Sequence, residues 1–303
     1  MTTSPVLPIG EAAYQATDHI TDVIRHGQGG SRFRRDLRAI GVVWRRELIR
    51  FRSDRLRAVT SLVQPVLFLF VLGTGLSSLA RSGMPPGLGF RTFMYPGVLA
   101  MSVLFTAIFS AGSIVWDREF GFLREMLVAP VGRGALVVGK CLGGATIAAF
   151  QGLVILALAG LAHVPYSPLL FIELIGMLVL LAFTLTAFGV MMAARVKQFQ
   201  AFMALTQMLV MPLFFLSGAL YPLAGLPGWL TVLTRLDPIT YVVAPMRRAV
   251  FDQLSLNPRV VQTLAPEITW GTWTVPHALS LGIVAAMGLI LMGVAIIEFR
   301  RTE

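Results

Sequence analysis

Gly134-Ala-Leu-Val-Val-Gly139-Lys140-Cys141 comes within one residue of the phosphate-cradling loop Gly-x4-Gly-Lys-Ser/Thr. In that loop bare amides and the lysine hold phosphates, and the closing hydroxyl binds magnesium. Here a thiol closes the run, and a thiol is a poor magnesium ligand beside a hydroxyl. No strand precedes the run, and an apolar stretch follows it. The sequence therefore predicts helix packing at this place, not nucleotide binding. Gly139 and Gly143 form a small-xxx-small pair that lets helices approach closely in lipid. Other reactive residues are equally sparse. His19, His26, His163 and His277 are not spaced with carboxylates or with Cys141 as a metal site requires. Cys141 is the only cysteine, which excludes an intramolecular disulfide and a cysteine-cluster metal site. No Ser/His/Asp set falls within the apolar runs, so we expect no catalytic residue and no bound metal.

The elements around these residues are long and greasy. The chain has 303 residues, of which 56% are hydrophobic and 13% charged. A soluble domain carries about 25% charged residues. Leu, Val, Ala and Phe recur in blocks of about 20, the length that crosses ~30 Å of hydrocarbon. Six runs qualify as spans: 58–80, 93–116, 141–162, 169–194, 201–220 and 276–297. The first 30 residues are polar and mixed, with no cleavage site before the first span, so that span is expected to stay as an anchor. The expected fold is an all-α polytopic membrane protein of six transmembrane helices. It has an N-terminal amphipathic interfacial helix, and short re-entrant or interfacial outer helices after span five. The divisions expected are a flexible tail (1–30), the interfacial helix (31–57) and the six-span transmembrane domain (58–303).

Orientation follows from Lys and Arg, which favour cytoplasmic loops. With both termini inside, the outer side keeps only Arg81, Arg91, Arg235, Arg247, Arg248 and Arg259 of the 25 Lys and Arg. Residues 117–140, between spans two and three, then form a cytoplasmic loop. Phe33, Leu37, Ile40, Trp44, Leu48 and Phe51 recur at helical spacing beside a flank of arginines. Such a helix lies flat among lipid headgroups. Lipid also accounts for the net charge of +10, so no nucleic-acid partner is expected. The outer loop, 221–275, is broken by prolines and apolar enough over 226–251 to form helices resting on or dipping into the outer leaflet. Trp229, Trp270 and Trp273 suit the interfacial belt.

Within the spans the polar residues are uncharged. Ser102, Thr106, Ser110 and Ser113 follow one line of span two, beside Met101, Phe105 and Phe109. Met203, Gln207, Met211 and Phe214 follow one face of span five. Adaptable Met and Phe with small hydroxyls suit a passage for a bulky, greasy, partly polar molecule, and plain helix packing is the alternative. Glu173 and Glu298 lie at span margins. A proton-driven carrier needs an acid or histidine in mid-span, and none is found there. The energy for transport is therefore expected from elsewhere.

The run Asp117-Arg-Glu-Phe-Gly-Phe-Leu-Arg-Glu-Met-Leu-Val-Ala-Pro-Val-Gly-Arg133 resembles the cytoplasmic loop of type-2 ABC-transporter permeases, such as the daunorubicin-exporter and nodulation-factor permeases. The resemblance extends from about residue 35. It includes the arginine-rich helix, Tyr95-Pro-Gly97 opening span two, Ser217-Gly-Ala-Leu-Tyr-Pro222 ending span five, and Asp237-Pro-Ile-Thr-Tyr241. It implies a permease without an ATPase, in a bacterial cytoplasmic membrane. Such a chain pairs with a second copy or a related permease and docks two cytoplasmic ATPase subunits, which hold ATP and magnesium. It also implies a coupling helix at about 117–128. Residue chemistry agrees with a docking role. Phe120, Phe122 and Met126 supply apolar surface. Asp117, Arg118, Glu119, Arg124 and Glu125 supply charge, Gly121 permits close approach and Pro130 ends the helix. The implied activity is export of a hydrophobic or amphiphilic compound such as a drug, polyketide or lipid. A polysaccharide or glycolipid exporter of the same family is the runner-up, and an ion-gradient-driven carrier is more distant. An aromatic-lined channel favours glycan, and a closed greasy cavity favours drug or lipid.

Overall fold

Apolar blocks whose backbone must be satisfied in lipid have to close their hydrogen bonds within each segment, and helices do so. A computed structural model describes residues 32–77, 85, 88–122, 131–254, 256–270 and 273–302. Among these, six helices are long and apolar enough to cross a membrane. Helix α1 (Arg32–Ser53) precedes them. Span one is α2 (Arg55–Leu67), continued through a π-helical turn, Phe68–Leu72, to Gly75. Pro65, inside α2, removes the N–H that would bond the carbonyl four residues earlier, one turn before the π-helical stretch. Spans two to five are α3 (Phe90–Glu119), α4 (Arg133–Ala157), α5 (Pro168–Arg195) and α6 (Phe199–Leu216). Then come α7 (Gly228–Leu236), α8 (Thr240–Asp252), α9 (Pro258–Leu264), a two-stranded hairpin of β1 (Thr269–Trp270) and β2 (Trp273–Thr274), and span six, α10 (His277–Thr302).

The core is α3 packed against α4 and α5, with α10 on α5. Spans one and five lie chiefly against α3. Only 17% and 22% of their central residues are buried, against 78% for α3. One side of α3 is thus shared by two loosely held helices, and the cavity described below opens there. At one end of the bundle, called here the basic end, lie α1 and the termini of α3, α4, α5, α6 and α10. The opposite end carries α7, α8, α9 and the hairpin.

Three sequence expectations change. Span three begins at Arg133, not at Cys141, so the near-phosphate run Gly134–Cys141 lies inside a regular helix. Its amides beyond the first turn are taken by the helix, so the run does not form the phosphate-cradling loop. Span two reaches Glu119, which brings Asp117 inside the helix. Span three leaves the α-helical path at Ala157 and tightens to a 3-10 turn at Ala159–Ala162.

Candidate functional site

At the basic end the mutual pairing of charges lets α3 and α4 run on through Asp117 and Lys140. Lys140 Nζ donates to Glu47 Oε1 and to Asp117 Oδ2, each at 2.6 Å, and to Ser113 Oγ at 3.0 Å. Arg46 Nη2 reaches Asp117 Oδ1 at 3.1 Å, and Arg50 lies 3.5 Å from the same oxygen. Asp117, Glu47 and Lys140 are all buried. Buried charges persist only when paired and hydrogen-bonded, and here each compensates its neighbours. The network joins three elements: α1 through Glu47, Arg46 and Arg50, α3 through Asp117 and Ser113, and α4 through Lys140.

Two glycines make that junction possible. A Cβ on Gly139 would lie 2.8 Å from Val43 Cβ, and one on Gly143 would lie 2.7 Å from Glu47 Cβ. The expected small-residue pair is therefore a packing site, and the partner is α1 instead of another span. Asp36 Oδ1 also accepts from the Gly132 amide at 2.9 Å, at the entry to α4. The buried line on α1 is Val43 and Glu47, beside the predicted apolar stripe. Phe33, Leu37 and Trp44 of that stripe remain exposed and available to lipid.

The next two residues of α3 grip the turn between spans four and five. Arg118 donates to the carbonyls of Ala193, Ala194 and Val196 at 2.7–3.2 Å. Glu119 Oε2 accepts from the Phe199 amide at 2.8 Å. A cation thus meets the C-terminus of α5 and an anion the N-terminus of α6, each the favourable sign for a helix dipole. After this clamp the chain turns at Gly121, whose φ of +82° is a left-handed value that glycine adopts without penalty. Phe120 and Phe122, on either side, are 57% and 50% exposed. The remaining expected coupling residues, Arg124, Glu125 and Met126, lie outside the described residues, as does Pro130. Asp117, Arg118 and Glu119 make contacts inside the chain, so Phe120 and Phe122 are the described coupling residues that stay exposed, with the Phe120 ring 4.6 Å from that of Trp116.

A cavity of about 520 Å³ opens between α1, α2, α3 and α6, beside the charged junction. Phe105, Thr106 and Phe109 of α3 and Met203 of α6 line it. Met101 and Ser102 are instead buried in the core, Ser102 bonding to the Leu99 carbonyl. Gln207 and Met211 lie exposed along α6, whereas Phe214 is buried against Phe68 with ring centroids 6.1 Å apart. That aromatic contact joins spans one and five toward the opposite end. The two predicted rows thus meet in part: Phe105, Thr106, Phe109 and Met203 share one space. Of the remaining lining, Gln64 of α2 stands out in the sequence as a mid-span amide, whereas Thr60 and Ser61 of α2 and Glu47 and Arg50 of α1 carry no such signal. Among the described residues no cluster of three or more His, Cys, Asp or Glu is placed to hold a metal.

Comparison with known proteins identifies this arrangement. Residues 38–251 match the model of the ABC-2 type transporter family, covering α1 through α8. The chain belongs to the ABC-2 type transporter family. Among curated relatives, it is 27% identical over 210 residues to a putative transport permease, ycf38, of Cyanophora paradoxa, covering 68% of this chain and 72% of the relative. It is 29% identical over 214 residues to the inner membrane transport permease YadH of Escherichia coli strain K12, covering 69% and 81%. It is 26% identical over 224 residues to nodulation protein J of Rhizobium leguminosarum bv. viciae, covering 71% and 83%.

This ABC-2 permease carries a second buried polar group at its opposite end, where α7 and α8 differ sharply. Helix α7 exposes Trp229, Val232 and Leu236, whereas α8 is buried over most of its length. Arg247 of α8 is 2% exposed and donates to the carbonyls of Phe93, Gly218 and Ala219, with its guanidinium 4.1 Å over the Phe93 ring. Asp237 breaks α7 from α8 and accepts from the Ile239 amide at 3.0 Å through Oδ1, while its buried Oδ2 has no partner among the described residues. Burial pushes its carboxyl up from 3.8 to about 8, and the Ile239 amide only partly opposes this. Native Asp237 therefore holds its proton at neutral pH, whereas the unfolded chain has released it. Stability from this residue is full below its ordinary range and falls as pH rises to about 8. We expect wild-type melting to fall between pH 5 and pH 8 by more than that of Asp237→Asn. Equal pH slopes in thermal melts of the two proteins would refute the assignment.

Proposed function

We propose that this chain is the membrane subunit of an ATP-driven exporter of amphiphilic compounds, with ATP and magnesium held by separate ATPase subunits. The observation that carries the reading is the apolar tip at Phe120–Phe122, turned out at Gly121 from a helix end that is fixed on both sides. Asp117 ties that end to α1 and α4, and Arg118 and Glu119 tie it to α5 and α6. Force applied at the tip would be delivered to four neighbouring helices at once. The basic end faces the cytoplasm in this reading, as the arginine distribution favours. Two ATPase subunits dock there, and a second permease copy or a related permease completes the translocation path. A cytoplasmic membrane of a bacterium fits the relative named as an inner membrane permease.

The cavity is the substrate site in this reading. It is neither closed nor uniformly greasy, because hydroxyls and an amide share it with aromatic rings. That mixture favours an amphiphile over a pure lipid, and it retains a glycolipid as the second reading. Purification from native membranes in mild detergent should bring down an ATP-hydrolysing partner. Gly121→Val forces a β-branched residue into a left-handed conformation, which costs roughly 1–2 kcal/mol or distorts the tip. It should lower ATP-dependent transport at least several-fold while insertion is kept and melting falls by only about a few degrees. No co-purifying ATPase, or unchanged transport in Gly121→Val, would refute the reading.

A further inference from the structure

We propose that α1 carries a binding surface for anionic phospholipid headgroups, formed by Arg34, Arg38, Arg45 and Arg52. This goes beyond the exporter reading and does not depend on what the cavity holds. Four dipeptides build the surface: Phe33-Arg34, Leu37-Arg38, Trp44-Arg45 and Phe51-Arg52. They recur at spacings of four, seven and seven residues. At about 100° per residue, these steps keep each set within about 40° of one line along the helix. The apolar members form one line, and the arginines form a second about a quarter-turn away.

Both lines face outward. All four arginines are exposed, as are Phe33, Leu37 and Trp44, and Phe51 is half-buried. The other side of α1 is fixed to the bundle. Val43 packs on Gly139, Glu47 pairs with Lys140 at 2.6 Å and Asp36 accepts from the Gly132 amide. Trp44 Nε1 donates to Thr146 Oγ1 of α4 at 3.1 Å, which fixes the roll of α1. The arginines divide by task. Arg46 and Arg50 turn to Asp117. The side chains of Arg34, Arg38, Arg45 and Arg52 make no ion pair or hydrogen bond among the described residues. The two acids of α1, Asp36 and Glu47, both lie on the fixed side. An uncommitted positive row roughly 27 Å long therefore flanks an apolar line. With that line in the hydrocarbon, the row sits at headgroup depth, where guanidinium forks meet phosphate. Zwitterionic headgroups offset their phosphate with their own cation, so the row favours lipids of net negative charge. A soluble acidic partner would leave Phe33, Leu37 and Trp44 in water, which disfavours it.

The test reconstitutes the full-length permease in equal parts of phosphatidylglycerol and phosphatidylcholine with matched acyl chains. The protein is extracted in mild detergent, and the lipids that stay bound are quantified. One basic residue at an anionic surface gives roughly a fivefold preference, so the wild-type ratio of phosphatidylglycerol to phosphatidylcholine should exceed about five. Arg34→Gln, Arg38→Gln, Arg45→Gln and Arg52→Gln together should lower that ratio at least about threefold. Lysine at the same four positions keeps the charge and should keep most of the ratio. Arg300→Gln with Arg301→Gln removes charge from the same end of the bundle and should leave most of the ratio intact. Gel filtration and lipid-free melting, unchanged in each variant, show that the fold is kept. A wild-type ratio near one, or a ratio unaffected by the four glutamines, overturns the proposal. So does an equal fall in the Arg300 and Arg301 variant, since any basic residue would then serve. An unaffected ratio together with loss of a co-purifying ATPase in the four-glutamine variant would assign the row to a soluble partner, which also overturns it.

Discussion

Replacing Lys140 by Met should destabilise the basic end by roughly 3–5 kcal/mol, the cost typical of removing one partner from a buried ion pair. Among the described residues Lys140 is the donor to Glu47, and it satisfies the second oxygen of Asp117. Asp117 keeps Arg46 and Arg50 on its other oxygen, so Glu47 is the more exposed to loss. A stranded carboxylate on α1 favours separation of that helix from Gly139 and Gly143. The expected result is a lower melting temperature and faster tryptic cleavage within the arginine-rich α1. The double variant Glu47→Met with Lys140→Met should recover much of the loss, because an apolar pair of similar volume can replace a buried ion pair at little cost. Unchanged melting and proteolysis in Lys140→Met would show that the network does not hold α1.

Arg247→Met should be the most damaging change at the opposite end. It removes the donor from three carbonyls, those of Phe93, Gly218 and Ala219, and the cation from the Phe93 ring. Each buried carbonyl left without a donor costs roughly 1–3 kcal/mol. These carbonyls belong to the start of α3 and to the turn after α6, where Gly218 takes a φ of +69°. One side chain on α8 therefore fixes the ends of spans two and five that lie away from the basic end. Amide exchange across Thr240–Asp252 should accelerate and melting should fall. Arg247→Lys should recover only part, since a single ammonium cannot reproduce the planar fork that reaches all three carbonyls. Wild-type exchange rates over α8 in Arg247→Met would refute this role.

Much of the architecture was legible in the sequence because it rests on local properties. Blocks of about 20 apolar residues must become helices in lipid whatever surrounds them, so six spans and the amphipathic α1 could be read directly. The resemblance carried by Asp117–Arg133 agrees with the family match. The span ends were less legible. Lys140 and Asp117 read as loop charges because hydropathy scores each residue alone. In the folded chain they neutralise one another, 23 positions apart, and the helices continue through them. Glu47 had a weak signal: with Asp36 and Val43 it follows one line of α1, at spacings of seven and four, amid the arginines.

The membrane class, the number of spans, the amphipathic helix and the family could all be read from the chain alone. These depend on composition and on periods of a few residues. Which residues work together emerged only on folding. Folding turned Asp117, Arg118 and Glu119 inward as ties, placed α1 on the two glycines of α4, sank α8 around Arg247, and divided the two predicted rows between cavity, core and surface. Those outcomes depend on which helix faces meet, and the meeting is fixed by long-range pairing of a few buried charges and by the close approach that Gly139 and Gly143 allow.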